Sequence, residues 1–535
     1  MRRREVLALL ASASAALPLA ARAGPVRRIG MLTADAEGVP SRSSGLIRSA
    51  GVDAFPLSVS ANGRYLITAT GAPFLMVADS CQGGAIESIV DFTYYCQQRA
   101  AQRFNTIQLD LIVTAYVGNP DGTNYATRDG IKPFTGAKVT TPNSTYFARM
   151  VEFVRIMQQN GLVAWLNPYE TGAGGTGQTD LNNAGPAACN AFGQYIANLF
   201  AGYSNVMWHF GNDFLANQSP SNLRDYLRLA KSYLRLRPPM NNDACVQALI
   251  DGVKSIAPNQ LRGGELCFAI GTQGVSTFDN PKFRPPNQNV NGAYTYAPVY
   301  AEVLRSYNNA AVNFGGFGSG TNTTPPCPTV MVESDYEWEN NVGNPGTPAN
   351  MRRILWWTYL SGACGYIYGN HFTATTFIVD GGAPVSGYKT IAPLWKNNLK
   401  SPGVVAFGVL IDLFETIGWQ DLVPDQDHRV AVAGYGAPAA AGTYQTNNYV
   451  TVSSMPNGTL ALAYFPQGNA NMLTVAMSTF ASPLTARWLD PTNGSYTDIG
   501  TFSNIGTHNF SPPGNNAGGD PDWVLVLDAH HRNPQ

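Results

Sequence analysis

T-V-M-V-E-S-D-Y-E, residues 329 to 337, sets the frame for the whole chain. Val330, Met331 and Val332 form the apolar run that a strand needs when both its faces are covered in a parallel sheet, and the run stops at Glu333. N-V-M-W-H-F-G-N-D, residues 205 to 213, has the same grammar: an apolar strand ending in an acid, Asp213. Strands of this kind alternating with helices predict an α/β fold, a (β/α)8 barrel. In such barrels the loops after the strands make a cleft over a packed core, and reactive groups come from the ends of different strands.

The alternation continues on both sides. Asn62-Gly63 predicts a hairpin, and Phe74 to Asp79 a first strand ending in an acid. A helix through Ile89, Phe92, Tyr95 and Arg99 follows, then a strand from Thr106 to Leu111. Asn143 or Ser144 offers an N-cap to a helix whose apolar face is Phe147, Met150, Val151, Val154 and Met157, stopped by Gly161. Leu162 to Leu166 is the third strand, and Ala188 to Phe200 is the helix before the Asn205–Asp213 strand. Arg224 to Arg235 predicts a solvated basic helix, Leu266 to Ile270 strand five and Asn291 to Tyr296 strand six. After the organising strand come a helix from Arg352 to Leu360 and an eighth strand from Ala363 to Gly369. Beyond Trp419 the pattern changes to short alternating strands with turns at Asn457-Gly458 and Asn493-Gly494, which predicts a β-sandwich of roughly 100 residues.

Composition narrows the function. Across 535 residues the net charge is -1 and only 13% are charged, so no basic field points to nucleic acid or anionic lipid. The 25 Tyr and 9 Trp suit stacking on neutral ligands such as sugars, although a large core uses aromatics too. The start, M-R-R-R-E-V-L-A-L-L, with small residues to Ala23, predicts a twin-arginine-type export signal and hence a periplasmic or secreted bacterial protein. No later apolar run reaches the roughly 20 residues of a transmembrane segment. Seven cysteines without a CxxC pair argue against zinc and leave at least one thiol free in the monomer, with a Cys81–Cys96 disulfide open. The domain boundaries that follow are 1–23 for the signal, 24–52 for a linker, 53–418 for the barrel and 419–531 for the sandwich.

Two strand-end acids about 120 positions apart suggest a paired-carboxylate hydrolase. Glu170, closing L-N-P-Y-E after the third strand, is a rival for the pair, and Asp79 either binds substrate or caps the next segment. Tyr294 and Tyr296 after strand six, and Asn370 and His371 after strand eight, have addresses on the cleft side, as do Asn167 and Asn212. Tyr336 and Glu337 are expected beside Glu333, Glu337 alternatively pairing with Arg352 or Arg353.

On V-S-A-N-G-R-Y-L-I, F-L-M-V-A-D-S, N-V-M-W-H-F-G-N-D, V-E-S-D-Y-E, L-S-G-A-C-G-Y-I-Y-G-N and W-Q-D-L-V-P-D, the chain resembles the apiosidase-like glycoside hydrolases, followed by the β-sandwich labelled collagen-binding. The resemblance runs from about Phe55 to Ala529 and implies an acid/base at Asp213 and a nucleophile at Glu333. It implies a poly- or oligosaccharide partner and no metal or organic cofactor. Two stretches depart from the family: A-D-S-C-Q at 78–82 stands where G-D-T-x-W is usual, and F-T-A-T-T-F replaces a Trp after the eighth strand. Those loops shape the sugar pocket, so the resemblance does not by itself imply apiose specificity. A non-catalytic carbohydrate-binding or surface protein on the same barrel is the alternative.

Overall fold

The computed structural model describes residues 54–113, 125–171, 176–214, 242–267, 274–308, 325–341, 344–374, 395–438, 446–467 and 472–529. The stretches read as an export signal, a linker and a basic helix at 224–235 lie outside these residues. Eight parallel strands form the barrel: β1 (Met76–Ser80), β2 (Thr106–Asp110), β3 (Val163–Asn167), β4 (Val206–Phe214), β5 (Arg262–Leu266), β6 (Asn291–Tyr294), β7 (Thr329–Glu333) and β8 (Gly365–Tyr368). They pair in the order β5-β4-β3-β2-β1-β8-β7-β6, and a short antiparallel strand, Val275–Ser276, lies on the outer edge of β6.

The seam between β5 and β6 closes through backbone and one hydroxyl. Asn289 and Val290 N–H both donate to the Arg262 carbonyl, at 2.8 and 3.0 Å, and the Thr277 hydroxyl reaches the Gly264 and Gly292 carbonyls. A Cβ on Gly292 would lie 2.1 Å from the Gly264 carbonyl oxygen, so the strands approach this closely only because Gly292 lacks a side chain. This corrects the start of strand five: it is R-G-G-E-L, beginning at Arg262 rather than Leu266, and residues 268–270 of the expected run lie outside the described residues.

The helices are α1 (Ile89–Ala101), α2 (Ser144–Gln159), α3 (Thr176–Phe200, kinked at Gly185), α4 (Asn242–Ile256), α5 (Val299–Tyr307), α6 (Pro348–Leu360) and α7 (Pro402–Phe414). α2 begins where expected, with the Asn143 side chain accepting the Thr145 N–H at 3.1 Å. α6 is buried on every side from Asn350 to Leu360, because the barrel covers one flank and the sandwich the other.

The sandwich has one sheet of Val423–Pro424, Thr451–Ser454, Leu460–Phe465, Trp523–Asp528, Leu484–Leu489 and Tyr496–Phe502 in that order, and a second of Ala431–Ala433, Leu473–Ala476 and Thr507–Phe510. It is welded to the barrel. The Arg352 guanidinium on α6 forks onto Asp522 at 2.8 and 2.7 Å and reaches Asp520 at 2.7 Å, while the Trp356 ring stacks on Tyr464. Leu462, Tyr464 and Val526 of the sandwich share one apolar cluster with Val77 and Met331 of the barrel. All seven cysteines are free thiols, so Cys81 and Cys96, both buried, are not bonded to each other.

Candidate active site

Asp110 at the end of β2, Glu170 just after β3, Asp213 in β4, Glu265 in β5 and Glu333 at the end of β7 are all buried, and all sit towards the C-terminal rim of the barrel. Burial and the neighbouring Glu170 push the Asp110 carboxyl well above its ordinary range, outweighing the two amides that donate to it. Burial, then Glu333 and Asp213, push Glu265 well above its range as well. Asp110 and Glu265 therefore each hold a proton more tightly than a free carboxyl does.

Glu333 is set under three phenols. The Tyr294 and Tyr296 hydroxyls donate to its Oε1 at 2.7 and 2.5 Å, and the Tyr336 hydroxyl to its Oε2 at 3.1 Å. Tyr294 closes β6 opposite Glu333 after a register shift, and Tyr296 lies two residues on, so the strand alternation sends both rings the same way. Tyr336 belongs to a belt around the rim. Gln82 Nε2 donates to the Tyr336 hydroxyl at 2.9 Å and to Asn212 Oδ1 at 3.1 Å; Asn212 Nδ2 donates to Asp110 Oδ2 at 2.8 Å, and Asn167 Nδ2 to Asp110 Oδ1 at 3.0 Å. The ends of β2, β3, β4 and β7 and the loop after β1 are thereby fixed relative to one another.

Asp213 sits in a distortion of β4. Phe210 pairs with Gly264 and Phe214 with Leu266, so three residues of β4 lie opposite one of β5. Gly211, Asn212 and Asp213 have φ of 127°, 65° and 58°. Each non-glycine residue held there costs on the order of 1–3 kcal/mol, and such strain collects where a side chain must be aimed. The Asp213 N–H donates to Glu265 Oε1 at 2.8 Å. Beneath them, His209 Nε2 lies 3.7 Å from Glu265 Oε2 with its ring edge-on to Trp165, and burial pushes the imidazole down to about 3.

Four expected site residues have other partners. Asp79 is buried against the Arg99 guanidinium and the Tyr95 hydroxyl of α1. Strand parity explains it: Ser80 bonds Gln108, which shares a face of β2 with Asp110, so Asp79 points away from that face. Glu337 neither contacts Glu333 nor pairs with Arg352 or Arg353. It accepts the Gly403 N–H at 2.8 Å at the N-terminus of α7 and the Tyr368 hydroxyl, the favoured place for a carboxylate on a helix dipole. Asn370 accepts the Phe372 N–H at 3.0 Å and caps the one-turn helix His371–Ala374. His371, half-buried, donates its backbone N–H to the Glu337 carbonyl at 2.9 Å and packs its ring edge-on to Phe372. In exchange, Gln82, Asp110 and Glu265 are part of the site without having been singled out. Asp110 carried the strand-end signal in T-I-Q-L-D; Glu265 carried none.

Among the described residues, no group of three or more His, Cys, Asp or Glu is arranged to hold a metal ion. An eight-stranded parallel barrel with buried carboxyls at the ends of β4 and β7 and phenols gathered on one of them defines the class, a glycoside hydrolase. The family is equally plain. Residues 60–421 match the family described as "Apiosidase-like, catalytic domain", and the chain belongs to it. Residues 440–528 match the one described as "Putative collagen-binding domain of a collagenase". The whole architecture recurs in a solved structure of a glycoside hydrolase, 18% identical, with a TM-score of 0.67 over 90% of this chain and 98% of that one. It recurs too in a glycoside hydrolase family 5 protein from Bacteroides vulgatus, 16% identical, with a TM-score of 0.68 over 88% and 93%. No curated protein matches the chain.

Proposed function

We propose that the protein cleaves glycosidic bonds of a plant or bacterial polysaccharide outside the cytoplasm by double displacement, with Asp213 as acid/base and Glu333 as nucleophile. A Glu333 oxygen bonds to the anomeric carbon as the bond to the leaving oxygen breaks, and Asp213 gives that oxygen its proton. Water then attacks the glycosyl-enzyme, Asp213 takes the proton, and Glu333 leaves as a carboxylate. The observation that carries this is the contrast between the two acids. Glu333 is held in place by three phenol hydroxyls, whereas Asp213 stands on a strained bulge beside Glu265. Export rests on the twin-arginine-type start of the chain. Gln82 stands where the family usually has Trp and ties Tyr336 to Asn212, so the release panel includes apiose linkages beside other sugars.

The test is sugar release from a panel of plant and bacterial polysaccharides and aryl glycosides by the mature protein, beside Glu333→Gln and Asp213→Asn. Release abolished in Glu333→Gln on every substrate, and in Asp213→Asn on the polysaccharides, is expected. Release that survives both substitutions moves the chemistry to other carboxyls, and binding without release makes the protein a carbohydrate-binding barrel.

A further inference from the structure

Glu265 is one of three buried carboxyls at the rim, with Asp110 and Glu170, that the two-acid chemistry leaves without a role. It faces the reaction from β5, with His209 and Asp213 on β4, Glu333 on β7, Asp110 on β2 and Tyr336 after β7 around it. Its Oε1 accepts the backbone N–H of Asp213, the last of three residues in the left-handed region. The Glu265 backbone is engaged at the same point: a Cβ on Gly211 would lie 2.1 Å from the Glu265 carbonyl oxygen. Main chain and side chain of one residue thus meet both ends of the bulge.

We propose that Glu265 is the positioning residue of the proton donor: its carboxyl oxygen clamps the Asp213 N–H and holds the bulge in the shape that aims the Asp213 side chain at the leaving oxygen. The proposal rests on Asp213 being that donor. Burial, then the neighbouring Glu333 and Asp213 carboxyls, oppose ionisation of Glu265. The clamp needs only an acceptor oxygen at this place, so an amide of the same shape can replace the carboxyl.

Leaving groups provide the test. An aryl glycoside whose phenol departs readily, such as a 2,4-dinitrophenyl glycoside, needs no proton, whereas a phenyl glycoside does, and a positioned general acid contributes about 10²–10⁴-fold. With the sugar found in the release panel, Glu265→Leu is expected to lower kcat/KM on the phenyl glycoside by about 100-fold. On the 2,4-dinitrophenyl glycoside it changes little. Glu265→Asp, which keeps the carboxyl but retracts it, follows Leu; Glu265→Gln, which keeps the acceptor oxygen, stays near wild type on both. Equal loss on both glycosides in Leu and Asp marks a merely structural residue and overturns the proposal, as does a Gln variant as impaired as Leu. If Glu265→Leu does not fold, Asp and Gln decide alone. Asp213→Asn provides the reference: without leaving-group selectivity in that variant, the assignment of Asp213 fails, which is a different result from a selective Asp213→Asn beside an indifferent Glu265.

Discussion

Gly211→Ala tests the bulge directly. The new methyl would lie 2.1 Å from the Glu265 carbonyl oxygen and 3.0 Å from the Phe214 Cβ, at a φ of 127° that an L side chain rarely adopts. Bringing the first contact out to ordinary van der Waals distance parts β4 from β5 by roughly 1 Å, and a misplacement of that size costs about 10²-fold in rate. The backbone strain adds on the order of 1–3 kcal/mol of lost stability. The assay is kcat/KM on the best aryl glycoside from the release panel, alongside denaturant unfolding. We expect a loss of about 100-fold in kcat/KM with the protein still folded. Gly71→Ala is the control, because Gly71 also has positive φ but its methyl would meet nothing within 4 Å: some stability goes and activity stays. A Gly211→Ala enzyme within threefold of wild type would refute the claim that the bulge aims Asp213.

Arg352→Leu leaves Asp522 buried without its guanidinium partner and is expected to cost roughly 3–5 kcal/mol in denaturant unfolding, with Arg352→Lys recovering only part because it cannot fork. Glu337→Gln is expected to lower stability by about 1–3 kcal/mol, by weakening the bonds to the α7 N-terminus and Tyr368, while kcat/KM stays within a few fold; a large loss of activity at unchanged stability would contradict it. His209 is neutral in the fold down to about 3, whereas in the unfolded chain it takes up a proton near 6.5, so between these values unfolding binds a proton and stability falls as pH falls. His209→Gln removes that contribution, so its stability should decline less steeply from pH 6 to pH 4, by about 1.4 kcal/mol per unit; parallel curves would mean that the imidazole does not titrate on unfolding.

The sequence was most readable where burial on both faces left continuous apolar runs. V-M-V-E and V-M-W-H-F-G-N-D are such runs, and both acids lie towards the C-terminal rim of the barrel as expected. Strand five was misplaced because R-G-G-E-L lacks β-branched residues: its glycines serve the close seam with β6 and the approach of β4. Asp79 has the same strand-end address as Glu333, and only the facing of the strand, set by pairing with β2, distinguishes them. Glu337 was misjudged for a different reason. Its partner is the start of a helix 66 positions later, a long-range contact with no local signal. In the sandwich, Tyr496–Phe502 and Thr507–Phe510 are largely exposed and carry little apolar alternation, so their sequences do not mark them as strands.

The central claim is that Glu333 carries the sugar between the two halves of the reaction. A 2-deoxy-2-fluoro glycoside of the sugar identified in the release panel, with a good leaving group, should trap that intermediate, and peptide mass mapping would locate it. The account predicts one added glycosyl group, on the peptide containing Glu333, and release of product with retained anomeric configuration by NMR. A label on Glu170 or Glu265, or no adduct together with an inverted product, would contradict it.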